Sequence, residues 1–293
     1  MANDGIDQTL EPRARDLGGF SVERIIPAAT CRHLGPFVFF DHMGSATFHL
    51  TPGAGMDVRP HPHIGLATVT YLFAGVIDHR DTLGSEQTIH PGDINWMVAG
   101  RGIAHSERTP AALRPQGLPS HGLQLWCALP SEHEETAPSF GHYPAASLPL
   151  HDAGGITARL LAGEAWGVKA PTRVLSPTFY VDLQLPAGRA IDLPSGYSER
   201  GVFVVEGELE IGAHRLAPGP VVTFEAGAAV TLRANVPTRV MLLGGEHVGA
   251  RHIWWNFVSS SKERIEQAKA DWVAGRFGKI PGDDKEFIPL PDH

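Results

Sequence analysis

Apolar residues along the chain come in short runs between turn residues, and the runs have the length of strands. Residues 64–73 read IGLATVTYLF, β-branched and aromatic enough for a buried strand, with Gly75 ending it. Pro91-Gly92-Asp93 marks a turn, residues 94–98 a second strand, and residues 99–102 another turn before a short strand that begins at His105. Side chains at i and i+2 of a strand share a face, so His61 with His63, and His105 with Glu107, each set two metal-binding groups side by side. Two antiparallel strands could turn both pairs inward. The period changes only near the end of the chain. Ser260 with Glu263 forms a capping box, and Ile265, Ala268, Trp272 and Val273 fall at helical spacing, which predicts an amphipathic helix from 261 to about 275 docked on the body of the protein.

The pattern also repeats. Pro91-Gly92 to Ala99-Gly100 recurs as Pro218-Gly219 to Ala226-Gly227 at the same spacing, and Leu72-Phe73-Ala74-Gly75 as Val204-Val205-Glu206-Gly207, which predicts a second β unit. Aligning Gly75 with Gly207 places His61 and His63 on Leu193 and Ser195. Aligning Gly100 with Gly227 places His105 and Glu107 on Leu232 and Ala234. One metal site per chain is therefore expected, in the N-terminal repeat. Residues 129–149, rich in Pro, Ser and charge, read as a connection crossing the surface, and the tail after Pro281 as a polar surface segment.

Composition narrows the class. Of 293 residues 42% are hydrophobic and 19% charged, and 33 Gly with 24 Pro supply the turns of barrels and jelly rolls rather than helical bundles. A net charge of −8 with no Lys/Arg cluster opposes direct binding of nucleic acid. No apolar run reaches the length of a membrane span and the N-terminus lacks the charged and apolar regions of a signal peptide, so a cytoplasmic protein with no membrane contact is expected. Cys31 and Cys127 are isolated, which argues against a disulfide framework or a zinc knuckle.

Three imidazoles and one carboxylate form a mixed nitrogen and oxygen donor set of borderline softness, suited to Fe(II), Mn(II), Ni(II) or Cu(II) with coordination positions left open. Other histidines, among them His33, His42, His79 and His121, have no metal-binding partner at i+2 assigned to them and read as surface or hydrogen-bonded core residues. His42 is a candidate lining of the cavity near the metal, and Phe40, Met56 and Trp96 are candidate walls.

Taken together, Gly55-x5-His61-x-His63, the Pro-Gly-Asp turn and Gly-Arg-Gly-Ile-Ala-His105-Ser-Glu107 resemble the two metal motifs of a cupin, specifically of the pirin family. Pro36 to His42 before the site and Gly122 to Trp126 after it extend the resemblance, strongly over residues 14–130 and by layout beyond. It implies an all-β chain of two tandem cupin β-barrels, a double jelly-roll, with a C-terminal helix. Residues 1–135 would form the metal-binding barrel and 136–293 a metal-free barrel plus the helix. It further implies Fe(II), with Mn, Ni, Cu or Zn as alternatives, held by His61, His63, His105 and Glu107, with Glu107 also the catalytic base. The implied activity is that of a quercetin 2,3-dioxygenase, taking a polyphenolic substrate and O2. The alternative is a metal- and redox-dependent regulator that binds a partner enzyme or transcription factor. One position departs from the family: Ala67 stands where many pirins have Glu, so a carboxylate that could orient an imidazole or relay a proton is expected to be missing.

Overall fold

The computed structural model describes residues 4–17, 20–50 and 54–291; residues 1–3 of the N-terminal stretch used in the signal-peptide reading lie outside them. The chain folds as two compact units. One is made of the segments up to Arg13, Arg24–Phe40 and Ala146–His247; the other of Ala14–Glu23, Asp41–Ala145 and the chain from Val248 on. The units are thus interleaved in sequence instead of meeting at a single cut between 135 and 136. Backbone pairing is the reason: the N-terminal strand Ile6–Leu10 finds its antiparallel partner in Val221–Phe224, and Ser139–Tyr143 pairs with Ile94–Val98.

Each unit is all-β. In the first, a sheet runs in the order Ile6–Leu10, Val221–Phe224, Glu199–Glu206, Thr238–Gly245, Thr178–Leu185, Ile156–Ala165, Leu150–Ala153, and a four-stranded sheet is built on Ala190–Asp192, Thr231–Ala234, Leu209–Ile211 and His214–Leu216. One apolar core joins the two, with Phe179, Val202 and Leu242 of the first sheet meeting Leu209 and Leu232 of the second. Leu193, Leu232 and Ala234, the repeat equivalents of His61, His105 and Glu107, belong to this core, while Ser195 is exposed. Gly75 and Gly207 both take left-handed φ, +92° and +86°, as the repeat predicts for the end of a shared strand.

In the second unit, a four-stranded sheet in the order Val58–His63, Ile103–Arg108, Ile77–Asp81, Glu86–Ile89 accompanies the seven-stranded sheet that contains Leu66–Ala74 and Pro119–Ala128. The predicted strand at 64–73 begins at Leu66. Gly65, at φ +66°, turns the chain so that Val58–His63 and Leu66–Ala74 enter different sheets. The connection at 129–149 is structured as well: Glu134 is buried, accepts the Ser260 N–H at 2.9 Å and pairs with Arg251 at 2.6 Å. The helix spans Lys262–Val273. Ser261, not Ser260, caps it by accepting the Arg264 N–H at 3.2 Å, since Ser260 is committed to Glu134. Ile265 and Ala268 bury against Ile64 and Phe257, whereas Val273 faces outward. The polar tail folds back, with Asp283 taking both branches of the Arg108 guanidinium at 2.9 and 2.8 Å. Among the described residues, no helix is long and apolar enough to cross a membrane.

Candidate metal centre

Strand register builds the site. Ile103–Arg108 lies between two antiparallel neighbours: His105 is directly opposite His61 on one side and Asp81 on the other, and Glu107 is opposite His79. Residues directly opposite in an antiparallel pair share a face. His61, His63, His79, Asp81, His105 and Glu107 therefore project from one face of the four-stranded sheet, and all are buried. Ligand atoms of His61, His63 and His105 lie within 4.8 Å of one another; His79, His105 and Glu107 form a second group of the same kind, sharing His105. The structure thus places the four residues marked in the sequence on one face, with His61, His63 and His105 in one group and Glu107 joined to His105 in the other, and adds His79.

The orientation of the rings decides what the cluster can do. His61 Nδ1 lies 2.8 Å from the Arg59 carbonyl and His63 Nδ1 3.2 Å from the Asn256 carbonyl. A carbonyl only accepts, so both Nδ1 atoms carry the proton and both Nε2 atoms expose a lone pair. His63 Nε2 then faces His105 Nε2 at 3.2 Å. Unprotonated imidazole nitrogens converging in a buried cluster, with a carboxylate beside them, fit a first-row divalent cation. Trp126 closes one side, its ring edge-on to His63 at 5.3 Å. The Thr70 hydroxyl lies 2.8 Å from Glu107 Oε1 and 2.9 Å from Gln124 Oε1, its single proton available to either.

The pairing of Leu66–Ala74 with Pro119–Ala128 is unbroken from Ala67–Cys127 to Thr70–Gln124. Thr70 points at Glu107, so Ala67, three residues away on a strand, points to the opposite face. A glutamate there would face away from the histidines, and its absence removes nothing from this cluster. The candidate pocket residues divide: Phe40 packs on Phe203 at 5.2 Å, Met56 sits in a core cluster with Val22, Met43 and Leu72, and His42 is drawn to Glu23 and His121 at 2.9 and 3.0 Å. None of these contacts is with the cluster.

Electrostatics keep the imidazoles neutral. Burial pushes His61 down to about 4, against the Arg59 carbonyl bond that raises it, and burial with mutual repulsion holds His63 and His105 well below the ordinary histidine range. Burial raises Glu107, opposed by His79 and by the Thr70 hydroxyl. Burial would also raise Asp81, but its hydrogen bonds with His79 and Ser85 outweigh that and leave it lowered. A folded histidine that refuses a proton the unfolded chain accepts costs stability in acid. Metal-free protein is therefore expected to keep its full stability above about pH 6.5 and to lose it as the pH falls toward 4, with His61 alone contributing roughly 3 kcal/mol of loss at the acid end. Glu107 acts in the opposite sense and offsets part of this. Urea midpoints of the metal-free protein between pH 7.5 and 4.5 measure the effect, and a midpoint that stays flat over that range refutes it.

A unit of β-sheets that carries His-x-His on one strand and His-x-Glu on its antiparallel neighbour is a cupin, and with a second β unit that lacks the motif the chain is a bicupin. The comparisons with known proteins narrow this class. The pirin family model matches residues 19–127 and that of the pirin C-terminal cupin domain residues 180–278. A pirin-like protein of Caulobacter vibrioides is 50% identical over 289 residues, 98% of this chain and 100% of its own length. Pirin of Homo sapiens is 31% identical over 270 residues, 89% of each chain. A crystal structure of quercetin 2,3-dioxygenase from Acinetobacter baumannii, at 33% identity, superposes with a TM-score of 0.90 over 100% of this chain and 98% of that one. The chain belongs to the pirin family.

Proposed function

We infer that the protein is a mononuclear metal-dependent dioxygenase of quercetinase type, with Fe(II) held by His61, His63, His105 and Glu107 and an electron-rich polyphenol, such as a flavonol, as substrate. The observation that carries this reading is the convergence of buried, unprotonated imidazole nitrogens next to a buried carboxylate. The likeness to the quercetin 2,3-dioxygenase of Acinetobacter baumannii supports the substrate class. The bound metal would supply a Lewis-acid centre and a template for a substrate hydroxyl and O2. The protein's own residues do the rest. Arg59 and Asn256 carbonyls fix two imidazoles, and Trp126 packs against the His63 ring. Glu107, with Oε1 beside the Thr70 hydroxyl, keeps Oε2 for the proton of the substrate hydroxyl.

Glu107→Gln keeps an oxygen donor and the Thr70 contact but cannot take the proton. Flavonol-dependent O2 uptake by Fe(II)-loaded protein is expected to fall about 10²- to 10⁴-fold in this variant, with metal content changed far less. An O2 electrode with quercetin, run beside metal analysis, measures both. Metal-loaded wild type that consumes no O2 with any flavonol or catechol overturns the oxygenase reading and favours the redox-dependent regulator.

A further inference from the structure

The three converging imidazoles differ in how Nδ1 is held. Those of His61 and His63 donate to main-chain carbonyls. His105 Nδ1 lies instead 3.3 Å from Nδ1 of His79, a nitrogen that donates or accepts according to its tautomer. Asp81 dictates that tautomer. Its Oδ1 accepts the Leu83 and Ser85 N–H groups at 2.8 and 3.0 Å, and its Oδ2 lies 3.0 Å from His79 Nε2. A carboxylate oxygen only accepts, so neutral His79 carries its proton on Nε2 and presents a bare Nδ1. His105 must then place its own proton on Nδ1, which leaves Nε2 bare toward His63. Stacking on Phe140, at 4.3 Å and 13°, holds the His79 ring in the plane this requires.

We propose that Asp81 and His79 are positioning residues that set the tautomer of His105, so that the third imidazole enters the cluster as a metal ligand and not as a hydrogen-bond donor. Resting on the metal reading above but not on the oxygenase activity, this gives His105 through a side chain what His61 and His63 receive from the backbone. The carboxylate in this relay comes from a strand of the four-stranded sheet itself, not from position 67, whose side chain faces away from the cluster. The relay is built so that a single atom inverts it. In Asp81→Asn the amide oxygen must stay with the Leu83 and Ser85 N–H groups, so the NH2 faces His79 Nε2. That nitrogen then has to accept, His79 Nδ1 carries the proton, and His105 is driven to the Nε2–H tautomer.

Two measurements test this. In metal-free protein labelled with 15N-histidine, His105 is expected to be the Nδ1–H tautomer in wild type and the Nε2–H tautomer in Asp81→Asn. Co2+ affinity, read by anaerobic competition with a chelator, is expected to fall roughly 10- to 100-fold in Asp81→Asn and in His79→Leu. His79→Asn, whose amide oxygen falls near the position of Nδ1, is expected to restore most of that loss. The proposal is overturned by an Nε2–H tautomer of His105 in wild type, by wild-type Co2+ affinity in Asp81→Asn, or by equal losses in His79→Asn and His79→Leu, which would mean that the ring only fills space. Wild type that binds Co2+ but takes up no O2 with quercetin counts against the oxygenase reading alone.

Discussion

Replacing His105 with alanine is expected to abolish metal binding, with a loss of affinity beyond the roughly 10- to 100-fold that removal of an outer partner costs. His105 is the one residue common to both groups of converging ligand atoms. It sits at the centre of the register, opposite His61 on one strand and Asp81 on another. Its loss leaves His61 and His63 on one side and Glu107 on the other with nothing between them to complete a donor set. His61→Ala, by contrast, leaves His63, His105 and Glu107 in place and is expected to weaken binding less. The fold should survive in both variants, because the cluster hangs on the four-stranded sheet by side chains while the sheet is held by backbone pairing. Equilibrium dialysis against Ni2+ or anaerobic Fe2+, with unfolding midpoints as the control, measures both quantities. Metal affinity within a few-fold of wild type in a folded His105→Ala protein would exclude the centre described above.

Much of this was legible in the sequence because strands write their geometry in a period of two. His61-x-His63 and His105-x-Glu107 announce a shared face, and the register confirms that the two strands are antiparallel neighbours. The apolar repeat around Gly75 and Gly207 likewise announces a further β unit with hydrocarbon at three of the four equivalent positions. What stayed hidden is of two kinds. Long-range strand pairing has no local signature, so the interleaving of the units, with Ile6–Leu10 in one and the C-terminal helix in the other, could not be read from a boundary in composition. Metal-site support was missed for a different reason. His79-x-Asp81 carries the same i, i+2 signal as the two ligand pairs, on a strand whose burial alternates, but it stands outside the two motifs that carry the family resemblance and so reads as an ordinary core histidine. Trp126, Thr70 and Gln124 carry no such signal, because they reach the site from the other sheet of the unit. The helix shows the limit of periodicity: Ile265 and Ala268 bury as predicted, yet at the last turn Val273 faces outward while Trp272 beside it packs on Phe277 and Phe287.

Gly65→Ala is expected to destabilise the protein by about 4 kcal/mol or more and to weaken metal binding at the same time. Gly65 makes the bend that sends Val58–His63 and Leu66–Ala74 into different sheets, and it does so at φ +66°, where a Cβ is strained in any surroundings. Here the surroundings add more. A Cβ at this position would lie 1.9 Å from the Val258 carbonyl oxygen, a backbone atom that no rotamer change can move. The bend cannot easily shift either, since the Gly65 N–H donates to the Gly100 carbonyl at 2.9 Å and the Gly65 carbonyl accepts the Leu129 N–H at 3.0 Å. Relief must come from the Phe257–Ser259 strand, which is tied to Ile64 by the Val258 N–H at 3.2 Å. Moving that strand moves Asn256, whose carbonyl fixes the His63 tautomer. A structural lesion two residues from His63 in the chain thus becomes a ligand lesion through a segment nearly 200 residues away. Gly155→Ala is the matched control: φ is +82° there as well, but nothing lies within 4 Å of the added Cβ, so it should cost only the backbone strain of about 1 kcal/mol and leave Co2+ affinity unchanged. Urea unfolding and Co2+ competition on the two variants separate strain from collision. Equal costs in both would mean that the Val258 contact contributes nothing and that the bend tolerates a side chain.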